Sequence, residues 1–302
     1  MQTAQNTLII GGSGFLSGAL ARQAVAQGHR VWVVTRGQRS IPAGVTSLVA
    51  DRHDHAAFEQ AIHTAQSSFD LVIDCIGYHP ADLEQDIALF RHLTPHLIFV
   101  STDFVYDPAR RRFPQGEETD AYLNEGYGGQ KRLCELALIH SEPGPMAWTI
   151  VRPCHIYGPG SQLGCLPLHS RDPELLAKLR AGEPLTLVGG GYFLQQPILA
   201  RDLADLILSM GGKQSCFGQI FCAAGPDIVE SRTYYQIIAD ILGVDLTINE
   251  TPVDRYLAAN PGAAPFLCHR IYDLSKTQAA GVKVPATPLA EGLREHVNAL
   301  LV

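Results

Sequence analysis

Short apolar blocks alternate with longer amphipathic stretches over the first half of the chain. "TLII" (7–10), "VWVV" (31–34), "TSLVA" (46–50), "LVIDCI" (71–76), "HLIFV" (96–100) and "WTIV" (148–151) are apolar along most of their length, which predicts strands buried on both faces. Between them, 14–27 sets Leu16, Leu20 and Ala24 on one helical face. Residues 56–65 read as a helix, and 81–93 place Leu83, Ile87 and Phe90 at helical spacing behind Pro80. Another helix is predicted from about Tyr127 to His140. This alternation predicts an α/β fold, a Rossmann-like doubly wound parallel sheet with right-handed crossovers and ligands beyond the carboxyl ends of its strands. After residue 160 the pattern loosens, and Pro and Gly become frequent to about 197. "QIFCAA" (219–224) then reads as a strand returning to the main sheet, and 233–242 and 287–301 as helices.

"LIIGGSGFLSG" puts Gly11, Gly12, Gly14 and Gly18 between the first strand and the first helix. Glycines there let the backbone turn tightly and approach a pyrophosphate, while the helix N-terminus offers N–H donors. Ser17 stands where a third glycine is usual, and is small enough to pack there. The second strand ends in "VVTRGQRS" rather than in an acid. Thr35, Arg36 and Arg39 suit a 2′-phosphate better than a 2′-hydroxyl, which favours NADP(H) over NAD(H). The alternatives are a phosphate-free turn at the glycines and an Arg36 that merely stacks on the adenine. The expected organisation is a dinucleotide-binding domain over 1–160 with the returning strand near 219–224. A smaller C-terminal α/β substrate lobe takes most of 161–302.

"STDFVYDP" (101–108) ends the fifth strand in three polar residues. Ser, Thr and Asp can do this for local reasons, by bonding their own backbone. They can also stand at the mouth of a site. "YGGQK" places Tyr127 and Lys131 four apart at a helix start, hence on one face. An ammonium beside a phenol favours the phenolate, so the pair suits proton transfer during hydride movement. A second such pair, Tyr272 and Lys276 in "YDLSK", lies outside the alternating core.

With 46 % hydrophobic and 18 % charged residues the chain fits a globular protein and not a disordered one. A net charge of −7 argues against a nucleic acid or an anionic membrane as partner. The basic run Arg110–Arg112 reads as a solvated face or a phosphate contact. Seven cysteines without a C-x-x-C pair argue against a disulfide framework or a metal site and fit a reducing compartment. No signal peptide precedes the first strand, and no apolar run approaches the roughly 18 residues of a membrane span. A cytoplasmic protein acting on a small molecule is expected.

The glycine loop, "STDFVY", "YGGQK", "RPCHIYGPG" (152–160) and "YDLSK", in this order, resemble the extended short-chain dehydrogenase/reductases. This is the NAD(P)-dependent epimerase/dehydratase family, whose members act mostly on nucleotide sugars. The resemblance implies that Thr102 is the catalytic hydroxyl, Tyr127 the acid/base and Lys131 the residue that holds the ribose and lowers the tyrosine pKa. It implies a cofactor site of Gly11, Gly14, Phe15, Leu16, Arg36, Asp51, Arg52, Gly77, Tyr127, Lys131, Pro153 and His155, with Asp51 at the adenine and His155 where Asn is common. Asp103 is open between general acid, substrate clamp and capping carboxylate. Dehydratases of the family carry Asp-Glu after the Thr. Here Phe104 takes the second place and cannot act as a base, so an epimerase or a reductase is expected, with a sugar-type hydroxyl or ketone as substrate. The different class is a catalytically quiet NAD(P)-binding sensor or RNA-binding protein on the same fold. Family members often pair, so a homodimer is the expectation.

Overall fold

The computed structural model describes residues 4–65, 68–166 and 171–301. Its strands are β1 (Asn6–Ile10), β2 (Arg30–Thr35), β3 (Val45–Val49), β4 (Leu71–Asp74), β5 (His96–Val100), β6 (Ala147–Pro153), β7 (Ile156–Tyr157), β8 (Leu185–Val188), β9 (Leu194–Gln195), β10 (Ile198–Leu199), β11 (Gln219–Ala223), β12 (Val229–Glu230) and β13 (Ile248–Thr251). The helices are α1 (Phe15–Ala26), α2 (His55–Thr64), α3 (Pro80–Phe90), α4 (Gly126–Ile139), α5 (Leu175–Arg180), α6 (Ala200–Met210), α7 (Ser231–Leu242), α8 (Val253–Ala259), α9 (Ser275–Ala279) and α10 (Leu289–Leu301).

Seven strands form one parallel sheet in the order β11-β6-β5-β4-β1-β2-β3. Successive residues of a strand face opposite sides, and both sides are covered except at the edge strand β3, expected to be buried but largely exposed, with Val49 on the surface. Ile9, Val31, Val33, Ile73 and Ile98 pack on one face with Leu20 and Ala24 of α1 and Leu203 and Ile207 of α6. Leu8, Ile10, Trp32, Val34, Val72 and Phe99 pack on the other with Phe58 of α2, Leu83 and Phe90 of α3 and Leu138 of α4. That double burial is why the strands read as continuous apolar runs. A third cluster joins Tyr157, Leu175, Leu185, Tyr234 and Tyr235 to Leu289 and Leu293.

The observed elements depart from the sequence pattern in two instructive places. β4 stops at Asp74 because its carboxylate accepts the N–H of Ile76 (2.7 Å), which turns the chain out of the sheet. Helix α6 lies in the stretch after 160, yet its Leu203, Leu206 and Ile207 are wholly buried with the first face of the sheet. The strand order reverses between β1 and β4, and the crevice beyond their carboxyl ends is where the candidate residues gather.

Candidate active site

The glycine loop makes the turn from β1 into α1. Gly11 and Gly12 have φ of +115° and +110°, and a Cβ on Gly12 would lie 2.5 Å from Val33 Cβ. Ser17 does take the third-glycine place: it is buried, and its hydroxyl accepts the Gly14 N–H (3.1 Å). Past the ends of β1 and β2 opens a cavity of about 400 Å³ lined by Gly11, Gly14, Thr35, Arg36, Arg39 and Asp51, among others. Arg36 and Arg39 are exposed there and form no ion pair among the described residues. A tight glycine turn and a helix N-terminus fit the pyrophosphate of a dinucleotide. Asp51 is exposed at the rim, its carboxylate accepting the His53 N–H.

Arg52 lines the same cavity but turns its guanidinium inward. Its guanidinium is buried among Asp74 (3.0 Å), Asp82 (3.4 Å) and Asp86 (2.9 Å), so it braces the ends of β4 and α3 from inside and is not free for a cofactor. Burial lowers its pKa, but the three carboxylates outweigh that and hold it protonated. Gly77 packs where a Cβ would meet Asp74 Oδ2 at 2.4 Å and Leu83 Cδ2 at 2.8 Å.

A second cavity, of about 570 Å³, opens beyond β5 and β6. Thr102, Asp103, Phe104, Tyr127 and His155 line it, with Phe266 from a late segment. Residues 103–105 form a single 3-10 turn capped by Thr102, whose hydroxyl accepts the Phe104 N–H (3.3 Å). The glycines of "YGGQK" seat α4 on that turn. A Cβ on Gly128 would lie 2.0 Å from the Phe104 carbonyl oxygen, and one on Gly129 2.5 Å from Asn124 C. Tyr127 is thereby held over the end of β5. Its ring meets Phe104 edge to face at 6.1 Å. The Tyr127 side chain is 53 % exposed at the cavity mouth, and partial desolvation of its phenol, with Tyr78 adding to it, pushes its pKa up to about 12.

Lys131 lies one helical turn beyond Tyr127 and is buried. Its ammonium donates to Gly77 O and Val100 O (both 2.8 Å), tying the loop after β4 to the end of β5. Burial lowers its pKa to about 8. Pro153 ends β6 beside Ala223, and burial pushes the His155 imidazole down to about 4, so it is neutral at pH 7.

Asp103 sits in a buried ion cluster. Its carboxylate is buried against Arg270 and Tyr272, with Arg111 at 3.6 Å. Burial alone would raise its pKa, but Arg270, then Arg111 and the Tyr272 hydroxyl, hold it below the usual carboxylate range. Arg111 also donates to Asp103 O (2.7 Å) and to the Tyr272 hydroxyl (2.8 Å). Arg270 donates to Pro265 O (2.9 Å) and lies over the Phe104 ring (4.2 Å). Two expectations change together: the middle arginine of Arg110–Arg112 is buried, not solvated, and Tyr272 packs behind the site through Asp103. Part of the expected substrate side, 167–170, lies outside the described residues.

Residues 7–216 match the model of the NAD dependent epimerase/dehydratase family. The chain is 26 % identical over 237 residues to the chloroplast stem-loop binding protein of 41 kDa b of Arabidopsis thaliana, covering 74 % of this chain and 59 % of that protein. It is 27 % identical over 339 residues to 2-alkyl-3-oxoalkanoate reductase of Stenotrophomonas maltophilia, covering 95 % and 97 %. Among solved structures it shares the fold of a UDP-N-acetylglucosamine 4-epimerase from Methanobrevibacter ruminantium in complex with UDP-N-acetylmuramic acid (TM-score 0.78, 18 % identity, 99 % of each chain).

Proposed function

The chain belongs to the NAD dependent epimerase/dehydratase family, and we infer from that premise that it is a nicotinamide-dependent reductase or epimerase with Tyr127 as its proton carrier. The observation that supports this reading is that Thr102 and Tyr127 line one cavity beyond β5. Gly11, Gly14, Phe15, Leu16, Gly77 and Pro153 would hold the cofactor, Asp51 its adenine, and Arg36 with Arg39 a 2′-phosphate. NADP(H) is accordingly favoured over NAD(H). Bound there, the nicotinamide supplies or takes up the hydride. Tyr127 gives its phenolic proton to a carbonyl oxygen in a reduction and takes a hydroxyl proton in the reverse direction. Thr102 bonds the same oxygen and orients it. Lys131 keeps the floor of the site closed through its two carbonyl bonds. Phe104 stands where a dehydratase has a carboxylate, so dehydration is not assigned.

The test is Tyr127→Phe. We expect NADPH oxidation against a panel of ketones and keto sugars to fall by roughly 10²- to 10⁴-fold, with NADPH affinity unchanged and NADPH bound more tightly than NADH. Undiminished turnover in that variant would refute the assignment. A second reading, a catalytically quiet sensor or RNA-binding protein, is favoured only by the likeness to the Arabidopsis stem-loop binding protein. The net charge of −7 and the inward-turned Arg111 count against it.

A further inference from the structure

The wall facing Tyr127 is built from hydrocarbon. Phe104, Leu123, Ile156, Leu166, Pro265 and Phe266 all line the cavity, and they come from five separate stretches of chain. Phe104 and Phe266 meet edge to face at 5.3 Å, and Phe104 is backed by the Arg270 guanidinium. Two arginines next to the cavity are turned away from it. Arg111 and Arg270 have side chains only 1 % exposed and converge on Asp103. Arg201 pairs with Glu295. Among the described lining residues the cation is Arg171, and its guanidinium lies 5.7 Å from the Phe15 ring at the head of α1, on the side of the glycine loop. Glu125 adds a negative charge to the wall. A diphosphate brings two negative charges that need donors and cations at close range. An alkyl or aryl group needs only apolar surface, which this wall provides.

We propose that the substrate is a ketone, or the matching secondary alcohol, with a hydrocarbon body and no diphosphate, seated against Phe104 and Phe266. The proposal rests on the hydride-transfer reading above. In the reduction the carbonyl carbon receives the hydride, the C=O π bond breaks, and the oxygen takes the Tyr127 proton. The Asp103 ion cluster makes this selectivity structural: it draws two arginines out of the cavity and fixes the segment that carries Phe266.

The test is a binding comparison in Tyr127→Phe protein saturated with NADP⁺, so that turnover plays no part. The probes are 2-nonanone and UDP-glucose, followed by calorimetry. We expect 2-nonanone to bind at least about tenfold more tightly than UDP-glucose, and Phe266→Ser to weaken 2-nonanone by about tenfold, the scale of burying one large apolar side chain. Phe266 is 37 % exposed, so the variant is expected to fold, and unchanged NADP⁺ affinity checks that it has. Tighter or equal binding of UDP-glucose, no measurable binding of 2-nonanone, or a ketone affinity indifferent to Phe266→Ser would each overturn the proposal. Undiminished turnover in Tyr127→Phe would instead refute the proton-carrier reading and leave this binding order standing.

Discussion

At the start of β5, His96 is wholly buried and both of its ring nitrogens are engaged. Nδ1 accepts the Gly212 N–H (3.1 Å). Nε2 lies 2.8 Å from the Thr149 hydroxyl, which gives its own proton to Cys216 O (2.6 Å). Nε2 therefore donates, and only the neutral imidazole satisfies all three partners. Burial lowers the pKa to about 4, below the ordinary 6.5. Between those values the unfolded chain binds a proton that the folded chain refuses. Stability is thus complete above pH 6.5 and falls as pH drops toward 4. Urea unfolding at pH 5 should show a loss of roughly 2 kcal/mol against pH 7.5 from this group. His155 acts in the same direction, so the check is the difference: His96→Gln should flatten the slope, and an unchanged slope would refute the assignment. Thr102 and Tyr127 were legible at this scale because a strand end and a helix start each carry a motif. Arg111, Arg270 and Tyr272 were not, since nothing local in "RRR" or "YDLSK" tells that they converge on one carboxylate.

Helix α4 explains why two glycines, poor helix formers, follow Tyr127. They are needed for contact: the helix lies so close to the 103–105 turn and to Asn124 that a methyl group has no room. Gly128→Ala should push the helix off the turn, cost about 1–3 kcal/mol in stability and lower turnover while every lining side chain is kept. Thermal unfolding and NADPH oxidation check both arms, and an Ala variant with wild-type behaviour would show the contact to be dispensable. The strands and most helices of the first half were legible because their apolar spacing is set by burial on both sheet faces. The end of β4 was not, because it depends on where one Asp74 oxygen finds an N–H.

The whole molecule is less divisible than its sequence reads. The alternation that points to a domain over 1–160 stops before α6 and β11, yet Leu203, Leu206, Ile207 and Phe221 share one core with Ile9, Leu20 and Val33. A fragment of residues 1–160 is therefore expected to show no cooperative thermal transition by circular dichroism, in contrast to the full chain. A sharp transition in the fragment would overturn this. The parallel sheet itself was legible, because alternating elements and right-handed crossovers leave few arrangements. Which later helix closes its open face was not, since an amphipathic pattern does not name its partner. The ion cluster at Asp103 has a consequence for inheritance. Asp103 and Arg270 are 167 positions apart, so a crossover between two relatives anywhere in that interval separates the carboxylate from its cation. A chimera that takes the late segment from elsewhere must also take positions 103 and 111, or it strands a buried charge. The ion cluster is passed on as one unit, although the chain writes it in two distant places.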